Sequence, residues 1–245
     1  MNALDFSGKT VLVVGGTSGI GNGIAHAFLD HGATVHVWGT RASAADYDGA
    51  EGSDLGGLHF ASMDVSDLDR LEAYEPPFDR LDILVQSQGT VLYGRREFLR
   101  EGWDQVMAVN LGSMMVCATK FKPMLAAAQG SLIFISSVSA YHANKGNPAY
   151  AASKAALVNL TRTLGEAWAP EGIRVNGIAP GLVDTKLTKV TTQHPRRYAE
   201  TLAQIPLARM GTPAELGEVA LFFASSMASY VVGQTLIVDG GLTNG

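Results

Sequence analysis

Tyr150 and Lys154 are four residues apart, and a serine, Ser137, lies thirteen residues before the tyrosine in Ile-Phe-Ile-Ser-Ser-Val-Ser. On a helix the Tyr-x-x-x-Lys spacing puts a phenol and an ammonium on one face, about 6 Å apart along the axis. A phenol with a pKa of about 10 is a poor acid or base near neutrality, and a neighbouring cation favours its ionised form. The pattern occurs a second time as Tyr141 and Lys145, so its surroundings must decide between the two. Tyr141 and Lys145 run into Gly146, Asn147 and Pro148, which signal a loop. Residues 150, 154, 157, 161, 164 and 168 instead follow the 4-3-4-3-4 spacing of a single helical face. Tyr150 and Lys154 are therefore the pair expected to do acid–base chemistry.

Alternating elements must position that pair. The spacing predicts strands at Thr10–Val14, Thr34–Trp38, Leu58–Met63, Ile83–Gln86, Leu132–Ile135, Arg174–Ile178 and Thr235–Val238. Between them it predicts helices at Ile20–His31, Ser66–Tyr74 (opened by a Ser cap), Trp103–Ala127, Ala149–Trp168 and Pro213–Ala224. Strands apolar on both faces and separated by helices imply a parallel sheet covered on both sides, a doubly wound α/β fold in a single domain over residues 1–245. Residues 185–205 break the alternation after a strand end and are expected to cover substrate, an ordinary surface helix being the alternative.

In the first strand-to-helix turn, Val14-Gly15-Gly16-Thr17-Ser18-Gly19-Ile20-Gly21, the residues Gly15, Gly19 and Gly21 allow a tight turn. The backbone can then approach a pyrophosphate at the N-terminus of the helix. That is where a doubly wound sheet holds a dinucleotide.

The composition narrows the alternatives. A chain of 245 residues with 47% hydrophobic residues can bury a full core. A formal charge of −5 gives no basic surface for nucleic acid. The single cysteine, Cys117, makes neither an internal disulfide nor a zinc site, and no metal is expected. With no arginine-rich or long apolar leader and no membrane span, a cytoplasmic location is expected.

With these pieces in place the sequence resembles the classical short-chain dehydrogenase/reductase family, close to its 3-oxoacyl carrier-protein reductase-like branch. The matching pieces run along the whole chain: the glycine turn with Val14 in place of a Thr, Asp64-Val65, Asn110 in Val-Asn-Leu, Ser137, Tyr150, Lys154, Pro180-Gly181 with Thr185, Gly233-Gln234 and Val238-Asp239-Gly240-Gly241. The resemblance implies an oxidoreductase that transfers a hydride between a nicotinamide cofactor and a ketone or secondary alcohol. It makes Tyr150 the general acid/base and Ser137 the donor to the substrate oxygen. Lys154 is to lower the Tyr150 pKa and hold the nicotinamide ribose, and Asn110 to position a relay water. The implied cofactor contacts are Gly15, Thr17, Ser18, Gly19, Ile20 and Gly21 in the turn; Thr40, Arg41, Asp64 and Val65 beyond it; and Gln88, Gly89, Tyr150, Lys154, Pro180, Gly181, Val183 and Thr185. A homo-oligomer, commonly a tetramer, is also implied.

Where the family has Asn-Asn-Ala-Gly this chain has Gln86-Ser87-Gln88-Gly89, so the bonds that brace the ribose side must be rearranged or cofactor binding weakened. At the end of the second strand the aligned position is Gly39, followed by Thr40 and Arg41. With no carboxylate there to repel a 2′-phosphate, NADP(H) is favoured, NAD(H) remaining possible. His142 and Asn144 lie in the loop between Ser137 and Tyr150 and are candidates for substrate contact, a solvated loop residue being the alternative for His142. Two alternatives stand beside the main reading. One is a 3-oxoacyl carrier-protein reductase, with Lys186, Lys189, Arg196 and Arg197 facing an acidic carrier. The other is a dinucleotide-binding regulatory or scaffold protein, suggested by the altered Gln86–Gln88 segment.

Overall fold

The structure, a computed structural model, describes residues 2–244. Its strands are β1 (Thr10–Val14), β2 (Thr34–Gly39), β3 (His59–Ser62), β4 (Ile83–Gln86), β5 (Ser131–Ile135), β6 (Arg174–Pro180) and β7 (Thr235–Val238). The helices are α1 (Gly19–Asp30), α2 (Leu68–Ala73), α3 (Arg100–Met107), α4 (Ser113–Ala128), α5 (Pro148–Trp168), α6 (Lys189–Thr192), α7 (Pro195–Leu202) and α8 (Pro213–Ala224). The seven strands form one sheet in the order β3-β2-β1-β4-β5-β6-β7, with every pairing parallel. This is the doubly wound fold expected from the alternation.

Each strand divides its side chains between two cores. Val11 and Val13 of β1 pack with Ile24 and Phe28 of α1 and Leu221 of α8. Leu12 and Val14 face the other way, toward Trp38, Met114 and Phe121 and Leu157 of α5. Winding reverses between β1 and β4, whose carboxyl ends lie level, with Val14 opposite Gln86. A crevice opens at that reversal. At the opposite end Asp82 pins β1 to β4 by accepting from Lys9 Nζ (3.0 Å), the Thr10 backbone N–H (3.1 Å) and Arg80 Nη2 (2.6 Å).

Some boundaries differ from the sequence reading for local reasons. Asp67, not Ser66, caps α2, its carboxylate accepting from the Arg70 N–H at 3.0 Å. Ser66 Oγ donates instead to Asp64 Oδ1 at 2.7 Å. The expected helix Trp103–Ala127 begins at Arg100 and is interrupted by a π turn at Ala108–Gly112, which carries Asn110. Between β2 and β3, where no element was expected, the chain makes a 3₁₀ turn, Ala44–Tyr47, opened by a Ser43/Asp46 capping box, and then a glycine-bearing loop. Among the described residues no helix is long and apolar enough to cross a membrane.

Candidate active site

The glycine turn is shaped by close approach. A Cβ on Gly15, whose φ is +76°, would lie 2.9 Å from the Gln88 backbone nitrogen, and one on Gly21 would lie 2.2 Å from the Gly15 carbonyl oxygen. Only hydrogens fit there, so the turn lies tight against the end of β4. It opens α1, whose first backbone N–H groups have no helical partners. A cleft of about 510 Å³ runs from this turn to Lys154.

Tyr150 and Lys154 lie on the first two turns of α5, which starts at Pro148, a residue suited to the first helical position. Lys154 is buried and donates from Nζ to the Ile135 carbonyl at the end of β5 (2.8 Å); Nζ is 5.7 Å from the centre of the Tyr150 ring. Burial pushes the ammonium down to about 8. The Tyr150 phenol is held above its ordinary value, first by burial, with a hydrogen bond to Ser137 pulling the other way and the charge of Glu97 and nearby Tyr93 adding to the rise. In the free protein the net shift of the phenol is upward, the loss of water being the largest cause, while the Lys154 ammonium is held at the Ile135 carbonyl.

Tyr150 and Ser137 stand where two spaces meet. Both line the dinucleotide-sized cleft, and both also line an adjoining chamber of about 900 Å³. His142 and Asn144 line the chamber, as do Thr191, Thr201 and Gln204 from the segment after β6. A substrate oxygen placed at the junction would face the phenol and the serine hydroxyl.

Asn110 is fully buried, its Oδ1 accepting from the Thr90 N–H (2.7 Å) and its Nδ2 donating to Thr90 O (3.0 Å) and Ser153 Oγ (3.2 Å). The amide is spent on bracing the Gly89–Thr90 bend against α5. A relay water would have to use the backbone carbonyl of this π turn, a distortion common at functional positions.

The unusual Gln86-Ser87-Gln88 segment carries its own brace. Gln86 Nε2 donates to Met114 O (3.0 Å); Gln88 Nε2 donates to Gln86 Oε1 (3.0 Å) and Ser113 Oγ (3.2 Å); Ser113 Oγ donates to Val109 O (2.7 Å). Longer amides thereby tie the end of β4 to the start of α4. Gly89 is left open, a Cβ there lying 3.5 Å from Lys154 Nζ and 3.7 Å from Asn110 Oδ1. Gln88 Oε1 is buried without a partner at the cleft wall. A bare glycine beside an ammonium, with an acceptor still to be satisfied, suits a hydroxylated ligand such as a ribose.

Similarity to known proteins follows the same layout. A family profile described as enoyl-(acyl carrier protein) reductase matches residues 14–243. A 3-oxoacyl-[acyl-carrier-protein] reductase of Chlamydia muridarum is 38% identical over 253 residues, covering 99% of this chain and 100% of the relative. The chain belongs to the short-chain dehydrogenase/reductase family. It is a nicotinamide-dependent oxidoreductase. A 2-dehydro-3-deoxy-D-gluconate 5-dehydrogenase of Pseudoalteromonas atlantica is 37% identical over 255 residues, covering 98% of both chains. Among solved structures, a gluconate 5-dehydrogenase of Burkholderia cenocepacia in complex with NADP and tartrate superposes with a TM-score of 0.88 at 30% identity, covering all of both chains.

On this short-chain dehydrogenase/reductase scaffold the cleft is lined by every sequence-derived cofactor residue but one: Gly15, Thr17, Ser18, Gly19, Ile20, Gly21, Thr40, Asp64, Val65, Gln88, Gly89, Tyr150, Lys154, Pro180, Gly181, Val183 and Thr185. Arg41 is the exception. Its guanidinium lies over the Tyr47 ring, 4.6 Å from the centre, and donates to Asp46 O. Tyr47 is a residue that sequence reasoning missed: a Cβ on Gly39 would lie 2.4 Å from the Tyr47 hydroxyl and 2.5 Å from Thr17 Oγ1. The Ser43-x-x-Asp46 capping box was the available signal for the turn that places it. Also unforeseen is the 48–57 loop, where Gly52 O accepts from the Gly19 N–H (2.8 Å) and Glu51 pairs with Lys189. Of the basic residues expected to face a carrier, Lys189 is held by Glu51 and Arg196 by Glu200.

Proposed function

We propose that the chain interconverts a small ketone and its secondary alcohol with NADP(H), Tyr150 acting as general acid/base. The observation that carries this reading is the position of the Tyr150 phenol and Ser137 at the junction of the cleft and the chamber. When bound, the nicotinamide supplies or accepts the hydride. In reduction the Tyr150 phenol gives its proton to the substrate oxygen while Ser137 donates a hydrogen bond to the charge developing there. Lys154 holds the ribose hydroxyls beside Gly89, and its ammonium favours phenolate whenever the proton leaves. Because burial holds the phenol above its ordinary value, the free protein offers a proton donor at neutral pH. Reduction is therefore the direction ready at pH 7, and oxidation speeds up as the pH rises toward the phenol's pKa.

The absence of room for a carboxylate on Gly39 supports NADP(H), since nothing there repels a 2′-phosphate, and Thr40 and a swung Arg41 offer it donors. The relative that binds NADP points the same way. Residues 185–205 act as a substrate-covering segment, and the protein works as a cytoplasmic homo-oligomer, a tetramer by family likeness. A carrier-linked 3-oxoacyl substrate is the second reading, favoured by the Chlamydia relative and opposed by the ion pairs that occupy Lys189 and Arg196. The deciding experiment is a panel of ketones, sugars, polyols and 3-oxoacyl thioesters run in both directions with NADPH/NADP and NADH/NAD. Tyr150→Phe is expected to lose at least about a thousandfold in kcat while keeping cofactor affinity. Equal turnover by wild type and Tyr150→Phe would end this reading, and turnover confined to thioesters would favour the second.

A further inference from the structure

Glu97 is a carboxylate with 1% exposure, and it belongs to no ion pair among the described residues. Such a group is costly to bury unless several donors meet it. Three do. Oε1 accepts from the Leu92 N–H (2.9 Å) and from Asn147 Nδ2 (3.0 Å), and Oε2 accepts from the Tyr150 backbone N–H (2.9 Å).

The last of these bonds is at the start of the catalytic helix. With Pro148 first and Ala149 second, Tyr150 is the third residue of α5, and its N–H is among those a helix cannot satisfy from within. The usual remedy is the side chain of the preceding cap residue. Here the cap residue is Asn147, and it makes no capping bond, because its amide donates to Leu92 O (3.1 Å) and to Glu97. The cap is supplied instead by Glu97, about fifty residues earlier in the chain. Its negative charge also stands at the positive end of the helix. The same carboxylate fixes the Leu92 end of the segment leading to Tyr93, whose hydroxyl reaches Leu187 O (3.0 Å) across the chamber, both residues lining it.

We propose that Glu97 is a positioning residue for Tyr150: a cap supplied from another part of the chain that fixes the height and rotation of the catalytic phenol. The proposal rests on the reading of Tyr150 as the acid/base. The titratable groups closest to the phenol are Tyr93, Glu97 and Lys154, with the Ser137 hydroxyl hydrogen-bonded to it, and Tyr141 and His142 also line the chamber. Of these, Glu97 is the carboxylate, and its effect on the phenol is to raise it.

Glu97→Gln removes the charge and sets an amide against donors; Glu97→Asp keeps the charge but withdraws it by one methylene. Both are compared with wild type for kcat in each direction, the pH profile of oxidation, NADPH affinity by fluorescence and melting temperature. Glu97→Gln is expected to lower kcat about tenfold or more, as small misplacements of a reacting group do. Its oxidation profile should move to lower pH, because loss of the anion favours phenolate, while NADPH affinity stays within about twofold. Glu97→Asp should lower kcat with the profile left near that of wild type. Wild-type kcat and pH profile in Glu97→Gln, with only the melting temperature reduced, would overturn the proposal and leave Glu97 a structural cap. If Glu97→Gln does not fold, Glu97→Asp carries the test: a reduced kcat with an unmoved profile supports positioning, and an unchanged kcat refutes it. Tyr150→Phe run alongside separates the two layers. Should it stay active, the acid/base reading itself fails; should it be dead while both Glu97 variants behave as wild type, only the role of Glu97 fails.

Discussion

Replacing Lys154 with Met should make the cofactor-free protein more stable at neutral pH while destroying its activity. Burial takes the ammonium from its ordinary value near 10.5 to about 8, a displacement of roughly 2.5 pH units at about 1.4 kcal/mol each, so keeping it charged at pH 7 costs about 3 kcal/mol. Met fills similar space without charge. Against this, the substitution strips the Ile135 carbonyl of its 2.8 Å partner, a loss of about 1 to 2 kcal/mol. The net expectation is a gain of about 1 to 2 kcal/mol for Lys154→Met at pH 7. The sign of its pH dependence follows from the depressed folded value. Between about 8 and 10.5 the unfolded wild type binds more protons than the folded protein, so wild-type stability rises through that window and the variant's advantage shrinks. Tyr150, raised in the folded state, gives stability that falls as the pH rises past about 10, and because both proteins carry it, the difference between them reports Lys154. Urea unfolding of both proteins at pH 7, 8, 9 and 10 measures the difference directly. A wild type more stable than Lys154→Met at pH 7, or a gap that does not narrow with pH, refutes the claim that Lys154 is held charged at a cost.

The remaining predictions concern the cofactor's ribose end and the far end of the sheet. Gly39→Asp should lower the melting temperature, by an overpacking cost of about 1 to 3 kcal/mol, and should weaken NADPH binding without conferring turnover with NADH, because Tyr47 and Thr17 occupy the space a carboxylate needs. Efficient NADH turnover with an unchanged melting temperature would show that Tyr47 yields its place. Asp82→Asn should cost about 2 kcal/mol in urea unfolding at pH 7, the half-exposed Lys9 and Arg80 keeping the loss below that of a fully buried pair. Burial raises the Asp82 carboxyl, but bonds from Arg80, Thr10 and Lys9 outweigh it and the net shift is downward. This stabilisation is therefore present above about pH 4 and lost as the pH falls through the lower folded value, and Asp82→Asn should flatten that acid limb. A variant as stable as wild type at pH 7 would mean the three donors are satisfied by water.

The layers of the sheet were readable because their cause is local and periodic. Val11, Leu12, Val13 and Val14 are apolar on both faces, which only a covered parallel sheet accommodates, and Ser137, Tyr150 and Lys154 sit at spacings that survive folding intact. What escaped the sequence comes from contacts between distant segments. Apolar spacing runs unbroken through Ala108–Gly112, so nothing in the pattern announces the π turn that carries Asn110. The cofactor wall beside Gly39 is decided by Tyr47, eight residues further on, whose ring returns through a short capped turn.

The phenol's chemistry is the clearest case. From sequence, Tyr150 has one visible electrostatic neighbour, Lys154, and the expected direction is downward. In the fold that ammonium is itself buried, held at the Ile135 carbonyl, and the phenol also answers to Glu97, which no spacing rule connects to it. Burial, Tyr93 and the anion raise the phenol, while the hydrogen bond to Ser137 lowers it, and the balance in the free protein is a donor. A site built this way holds its proton until a bound ligand brings polar groups that favour the ionised phenol. The pH at which oxidation becomes fast is then set by how far those groups offset the phenol's burial cost, a quantity no sequence motif records and one the pH profile of oxidation measures directly.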